Sequence, residues 1–225
     1  MRTTIFLIFL LLLSGCYENN RVDLDLILDA RLISSAEKLY DQKELLASLN
    51  NIKLFHEKNM TGLKLNHPAP EQDINKAQSF FGCSIPEELL VLWRWHNGES
   101  TNKFIWYHRF LSIDESISQY KDLISDSYMR WKKNWIPIFE FEGEWYGVQC
   151  GHNTPKASPI VLYFIETGVS VAYTNLTTYL QVMSHSMMNG GLKWKEYWWD
   201  ADIKIVSKFH AEFNPDVRFP YYDKQ

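Results

Sequence analysis

SIPEELLVLWRWHNG, residues 84–98, carries its own start and stop signals. Ser84 with Glu87 three positions on has the form of a capping box: the hydroxyl takes an orphan backbone N–H and the carboxylate reaches back to the cap's own amide. Pro86 falls in the first turn, where a missing N–H costs nothing. Ile85, Leu89, Leu92 and His96 recur at helical spacing, and Leu90 and Trp93 widen the stripe. Asn97 and Gly98 offer the left-handed backbone angles that end a helix. An apolar helix bounded this tightly is the central helix of a core. Trp93 is expected inside it and Trp95 on its surface.

Upstream, residues 71–81 form a short helix with acidic residues in its first turn, Ile74, Ala77 and Phe81 on one face, and Gly82 as its stop. Residues 61–70 are a breaker-rich linker. Before it, residues 23–33 and 37–50 read as two helices, with Ser34 and Glu37 as a capping box at their junction. They form an N-terminal helical extension packed on the main domain. Residues 17–22 are a polar tether.

Residues 1–15 read as a secretory leader. Arg2 supplies the charged start, and the apolar run at 5–13 is shorter than the roughly 20 residues that span a bilayer. Leu13, Ser14, Gly15 and Cys16 resemble the bacterial lipobox, in which the cysteine thiol receives a diacylglycerol and the chain is cut before it. That resemblance implies a palmitate-bearing lipoprotein anchored at Cys16, held durably by two or three acyl chains. Tyr17, in place of the Asp of an inner-membrane retention signal, favours the outer membrane.

Downstream of the central helix, residues 103–110 are aromatic and β-prone and are expected as a strand. Ser112 with Glu115 is another capping box, opening a helix that carries Ile113, Ile117, Tyr120, Ile124 and Trp131. Residues 135–141, the turn Glu142 and Gly143, and residues 144–150 read as a β-hairpin. On its second strand Tyr146, Val148 and Cys150 point one way, Trp145 and Gln149 the other. Residues 158–165 and 169–173 are two more strands. Leu176, Tyr179, Leu180, Met183 and Met187 define a further helix, ended by Asn189, Gly190 and Gly191. Residues 203–209 are a late strand or helix. The order predicts an α+β fold, one mainly antiparallel sheet with helices over one face.

Three stretches resemble the SUKH superfamily, the Smi1/Knr4 group: the central helix closing in Asn97 and Gly98, the WIPIFEFEGEWYGVQCG segment at 135–151, and FHAEFNP at 209–215. They fall in that family's order over residues 66–216. The resemblance implies the same α+β arrangement, with the family-like domain at 66–225 following the leader at 1–15 and the tether and extension at 16–65. It also implies a non-enzymatic protein that binds and neutralises a toxin.

The chain has 225 residues, 46% hydrophobic and 22% charged, ordinary for a globular protein; nine Trp, twelve Tyr and thirteen Phe promise a large aromatic core, an aromatic docking surface, or both. Net charge is −4, and −5 once Arg2 leaves with the leader, which argues against a nucleic-acid partner. After lipidation two cysteines remain in an oxidising compartment. Cys83 and Cys150 either pair or stay as buried thiols, since geometry decides.

No catalytic arrangement stands out: there is no nucleophile elbow, no H-E-x-x-H and no phosphate-cradling loop. The seven histidines never fall three or four apart, so no metal or cofactor is expected. Cys150 beside His152 reads as a strand end rather than a nucleophile and its base. His96 reads as a helix-end histidine favoured by the dipole. The candidate partner surface is an acidic rim, Glu140, Glu142 and Glu144, around the aromatics Trp145 and Tyr146, with Trp95 added from the central helix. KWKEYWWD, residues 193–200, is a second aromatic cluster, packed inward or left as an anchor. The leading expectation is an immunity protein anchored in the cell envelope, its partners the membrane and a cognate toxin. The alternative is a structural or regulatory envelope lipoprotein scaffolding a cell-wall complex.

Overall fold

The computed structural model describes residues 30–220 except 102, 127, 152–154, 166 and 167. The expected leader, Cys16, the tether and His152 lie outside the described residues.

Five strands form one antiparallel meander in sequence order: β1 (Arg109–Phe110), β2 (Trp135–Phe141), β3 (Glu144–Gln149), β4 (Ile160–Phe164) and β5 (Gly168–Tyr173). The β2–β3 turn is the expected one: Glu142 and Gly143 both take positive φ, 40° and 94°, the twist-matched geometry of a two-residue hairpin. Alternation on β3 also holds, with Tyr146 and Val148 buried on one face and Trp145 half-buried on the other.

Helix α6 (Leu176–Met188) covers the Tyr146 face, where the Tyr179 ring lies 5.2, 5.6 and 4.9 Å from Phe139, Tyr146 and Tyr173. Helix α5 (Ile113–Ser125) lies on the opposite face. Its Gln119 accepts the Trp145 indole N–H at 3.2 Å, and the Ser116 hydroxyl donates to the Pro137 carbonyl at 2.6 Å. The sheet is therefore covered on both faces rather than one. Gly147 makes room for the second layer, because a Cβ there would sit 2.7 Å from the Trp131 ring. The Ser112–Glu115 capping box of α5 is formed, but Trp131 lies beyond the helix and Ile124 is exposed.

The central helix α4 (Glu87–Trp95) buries Leu89, Leu92 and Trp93 completely, after the equally buried Ile85. Ser84 does not cap it. Its backbone is taken by a bridge to Gly151, with Ser84 N donating to the Gly151 carbonyl at 2.8 Å, beside the Cys83–Cys150 disulfide. Pro86 is the N-cap, and the carbonyls of Pro155 and Lys156 accept the N–H groups of Glu87 and Glu88. Glu88 is fully buried: its carboxyl accepts Ser158 N and Leu176 N, each at 3.0 Å. Burial pushes this carboxyl up to about 8 against the opposing pull of the amides.

At the other end of α4, Gly98 alone takes the left-handed angle (φ 80°); a Cβ there would sit 2.3 Å from Ser112 N. Asn97 instead turns its side-chain oxygen to the Ile113 N–H at 2.8 Å, capping α5 from outside. His96 is extended, and its Nδ1 hydrogen-bonds the Asn66 carbonyl, so a backbone partner rather than the helix dipole holds it.

Helix α3 (Glu71–Phe81) stands as read, closed by left-handed Gly82. Residues 23–29 of the first expected helix lie outside the described residues; from there α1 (Ala30–Leu39) runs through Ser34 and Glu37, and the break falls at Asp41, which accepts Lys43 N and Glu44 N to start α2 (Gln42–Lys58). Leu45, Leu49 and Ile52 of α2 are fully buried, and α2 packs on α6. Residues 103–108 are not strand. The buried Glu99 carboxylate gathers the N–H groups of Thr101, Lys103 and Phe104, and Trp106 and Tyr107 take φ 41° and 74°. The C-terminal part is a separate hairpin, β6 (Leu192–Lys195) and β7 (Trp198–Ala201), followed by helix α7 (Ile203–Phe213). Buried Asn214 then accepts Thr174 N at 2.7 Å and donates to the Ala172 carbonyl, tying the chain end to the β5–α6 junction.

Two outcomes follow. Gly98→Ala adds both backbone strain and a clash with Ser112, so it lowers unfolding free energy by at least about 3 kcal/mol in urea titration. Reducing Cys83–Cys150, which closes a sequence separation of 67 residues, lowers it by about 4 kcal/mol. Two alkylatable thiols in the unreduced, folded protein would contradict the bridge.

Candidate functional site

The β2–β3 hairpin brings carboxylates together around one arginine. Arg109 on β1 lies opposite Glu140 in the sheet, and its Nε and Nη2 donate to Glu140 at 3.2 and 3.0 Å. Its Nη1 donates to Glu115, whose other oxygen accepts Ser112 N at 2.8 Å in the capping box of α5. His108 Nε2 donates to Glu144 at 3.1 Å. Glu142 stands exposed at the tip. Glu115, Glu140, Glu142 and Glu144 thus outnumber Arg109 and His108, and this end of the sheet is acidic. These pairs are 5–34% exposed, half-dry enough to hold the side chains in place.

Tyr107 stacks on Phe141 with ring centroids 5.3 Å apart. Together with Arg109, Glu140 and Glu142 they line a small cavity of about 170 Å³. The Tyr107 hydroxyl donates to the Trp199 carbonyl at 2.7 Å, so the rim is tied to the C-terminal hairpin.

Of the residues expected at the rim, Glu140 and Glu142 line one cavity with Arg109, while the register turns Glu144 to the opposite, Tyr146 face of the sheet, against His108. Tyr146 is not available: it is 1% exposed, enclosed by His108, Tyr173 and Tyr179. Trp145 is half-buried, its indole held by Gln119 and its ring tilted on Tyr163. Trp95 packs on His96 and Phe104 at the end of α4 and joins neither group. Arg109, Glu115, Tyr107 and Phe141 complete the rim and were not singled out from sequence. The capping box marks Glu115, but only the sheet register shows that Arg109 reaches it.

A second concavity, about 510 Å³, is lined by Lys53, His56, Glu57, Met60, Leu65 and His96 among others. His56 is buried with both ring nitrogens engaged: Nε2 donates to the Phe104 carbonyl and Nδ1 accepts from Thr61 Oγ1, each at 2.7 Å. That arrangement suits the neutral ring, and desolvation lowers its pKa to about 4. Among the described residues no group of three or more His, Cys, Asp or Glu is placed to hold a metal ion.

Comparison with known protein families matches residues 68–182, about half of the chain, to the SMI1 / KNR4 family (SUKH-1). No curated protein matches the chain.

His56 binds its proton less readily folded (about 4) than unfolded (6.5). Its contribution to stability is therefore complete above pH 6.5 and is lost as pH falls towards 4, about 3 kcal/mol in all. Followed by NMR, the His56 ring stays neutral through the range where surface histidines charge; a midpoint at or above the ordinary value would contradict this.

Proposed function

The chain belongs to the SMI1 / KNR4 family (SUKH-1), and from that premise we propose that it is a non-enzymatic, lipid-anchored immunity protein that neutralises a toxin acting in the bacterial cell envelope. The family includes immunity proteins, which supports a protein partner. The observation that carries the reading is the acidic end of the β2–β3 hairpin. Glu140 and Glu144 are pre-set by Arg109 and His108 while Glu142 projects, so a basic partner is steered in and little side-chain freedom is lost on docking. Neutralisation is occlusion, through an interface of about 1,200–2,000 Å² that covers the toxin's active site.

The lipobox-like Leu13, Ser14, Gly15 and Cys16 supports anchoring outside the cytosol, with the outer membrane favoured by Tyr17. Such a location suits a toxin that attacks peptidoglycan or the membrane better than one that cuts cytosolic nucleic acid.

Co-expression with toxic products of neighbouring genes tests this. The native chain restores growth against one of them, and Glu142→Lys weakens that complex by about tenfold or more with the fold unchanged, because it reverses a projecting charge. Failure to rescue against any neighbouring product, or full rescue by Glu142→Lys together with Glu140→Lys, sinks the proposal. Pull-down of several envelope proteins in place of one tight partner would point to the scaffold role. Palmitate that fails to enter the Cys16-bearing chain would remove the anchor.

A further inference from the structure

The β6–β7 hairpin lies beyond the span matched to the family. Alternation gives it a dry face and a wet one. Trp194 and Trp199, cross-strand neighbours, turn inward. Trp199 is 2% exposed, stacked on Phe55 of α2 at 5.7 Å and edge-on to His56 at 5.6 Å. This bolts the hairpin to the end of α2. Lys103 reinforces the join, its ammonium 5.3 Å from the Trp194 ring and donating to the Thr61 carbonyl at 2.7 Å.

The wet face has a different character. Lys195 and Trp198 are paired across the strands, with the ammonium 5.4 Å from the indole ring. Tyr197 at the turn is 88% exposed and Trp198 49% exposed, and Met60 and Met188 project at 87% and 52%. Lys53, Lys58, Lys64, Lys193, Lys195 and Lys204 line the adjoining concavities. The acids beside them are fewer: Glu57 and Asp202 on the walls, Glu196 in the turn, and Asp200, which is ion-paired with Lys195 at 2.6 Å. A chain of net charge −4 has thus gathered a cationic, aromatic face here.

We propose that this face rests on an anionic phospholipid bilayer. Trp and Tyr, apolar in body and polar at one edge, settle at headgroup depth. Lysines lay their methylenes on the apolar surface while their ammonium groups meet lipid phosphates. The side chains that fit such a boundary occupy a projecting turn and its shallow flanks. Their charge complements an anionic surface, and the dry face of the same hairpin fixes them rigidly to α2. The length of chain beyond the structure agrees, a point that rests on the lipid-anchor reading. Thirteen residues lie between Cys16 and Ala30, a reach of at most about 50 Å. That exceeds the roughly 40 Å that the 10-residue α1 and the 17-residue α2 would span laid end to end, and the far end of α2 carries the hairpin. The anchor and the hairpin can therefore engage one membrane together, and the hairpin decides how the domain is oriented on it.

The test uses the chain without residues 1–16, which retains every described residue and carries no acyl group. It is sedimented with phosphatidylglycerol-rich vesicles and with pure phosphatidylcholine vesicles. The expected result is pelleting on the anionic vesicles, reduced by salt. Two double variants, Tyr197→Ser with Trp198→Ser and Lys193→Glu with Lys195→Glu, each weaken it about tenfold with unchanged circular dichroism. Absence of pelleting, equal pelleting on both vesicles, or pelleting that either double variant leaves intact overturns the proposal. Palmitate labelling at Cys16 is read separately, so loss of the anchor and loss of this surface remain distinct results.

Discussion

A single buried carboxyl joins parts of this fold that lie 70 and 88 residues away from it in sequence. Glu88 leaves the first turn of α4 and accepts amides from Ser158, before β4, and Leu176, at the start of α6. The chain returns the contact, because the carbonyls of Pro155 and Lys156 take the first free amides of α4. The start of α4, which has no side-chain cap of its own, is thereby satisfied, and the same exchange adds a partner to the α6 start beyond the Asn175 and Thr178 capping box. A buried helix end without such partners leaves orphan N–H groups at a cost of about 1–3 kcal/mol each. The central helix, the β3–β4 connection and α6 are consequently placed together or not at all.

The same logic recurs where the chain turns. Asn97 caps α5 across a break of sixteen residues, and Asn214 satisfies Thr174 and Ala172 across forty. Both sit in dipeptides that read as mere turn formers, Asn-Gly and Asn-Pro. In this fold the asparagine contributes more than a turn: its amide can accept and donate at once, so it staples elements that no strand ladder connects. Gly98 is needed for another reason, the close approach of Ser112.

What was legible in the sequence is what short-range physics decides. The Glu142 and Gly143 turn, the capping box of Ser112 with Glu115, and the stripe and stop of α3 all appear where local pattern puts them. One of the misreadings has a distant cause. Ser84 looks like a cap until Gly151, far along the chain, claims its backbone. The aromatic run at 103–110 looks like a strand throughout, yet only Arg109 and Phe110 pair in the sheet, because the buried Glu99 carboxylate draws the amides of Lys103 and Phe104 into a turn. Ser34 and Glu37 look like a helix junction, yet Asp41 offers its oxygen to two amides and wins. Tyr146 was grouped with the acidic rim by adjacency, although strand alternation already turns it inward with Val148. The KWKEYWWD stretch divides between the two readings offered for it: Trp194 and Trp199 pack, Tyr197 and Trp198 do not.

Charge is distributed unevenly over this frame, and the distribution is built in rather than incidental. Carboxylates collect where β1, β2 and α5 meet; lysines collect where α2 meets β6. The Tyr107 hydroxyl on the Trp199 carbonyl couples the two regions directly. Tyr107 belongs to the acidic rim, and Trp199 is the ring that seats the cationic hairpin on α2. On the proposed reading, a bilayer that holds the hairpin also holds the rim at a set height and tilt. A lipid tether by itself leaves the domain free to rotate, so the rim faces an arriving partner only part of the time. A second contact removes most of that freedom, and the orientational cost of capturing the partner is met once, by the membrane, before the partner arrives.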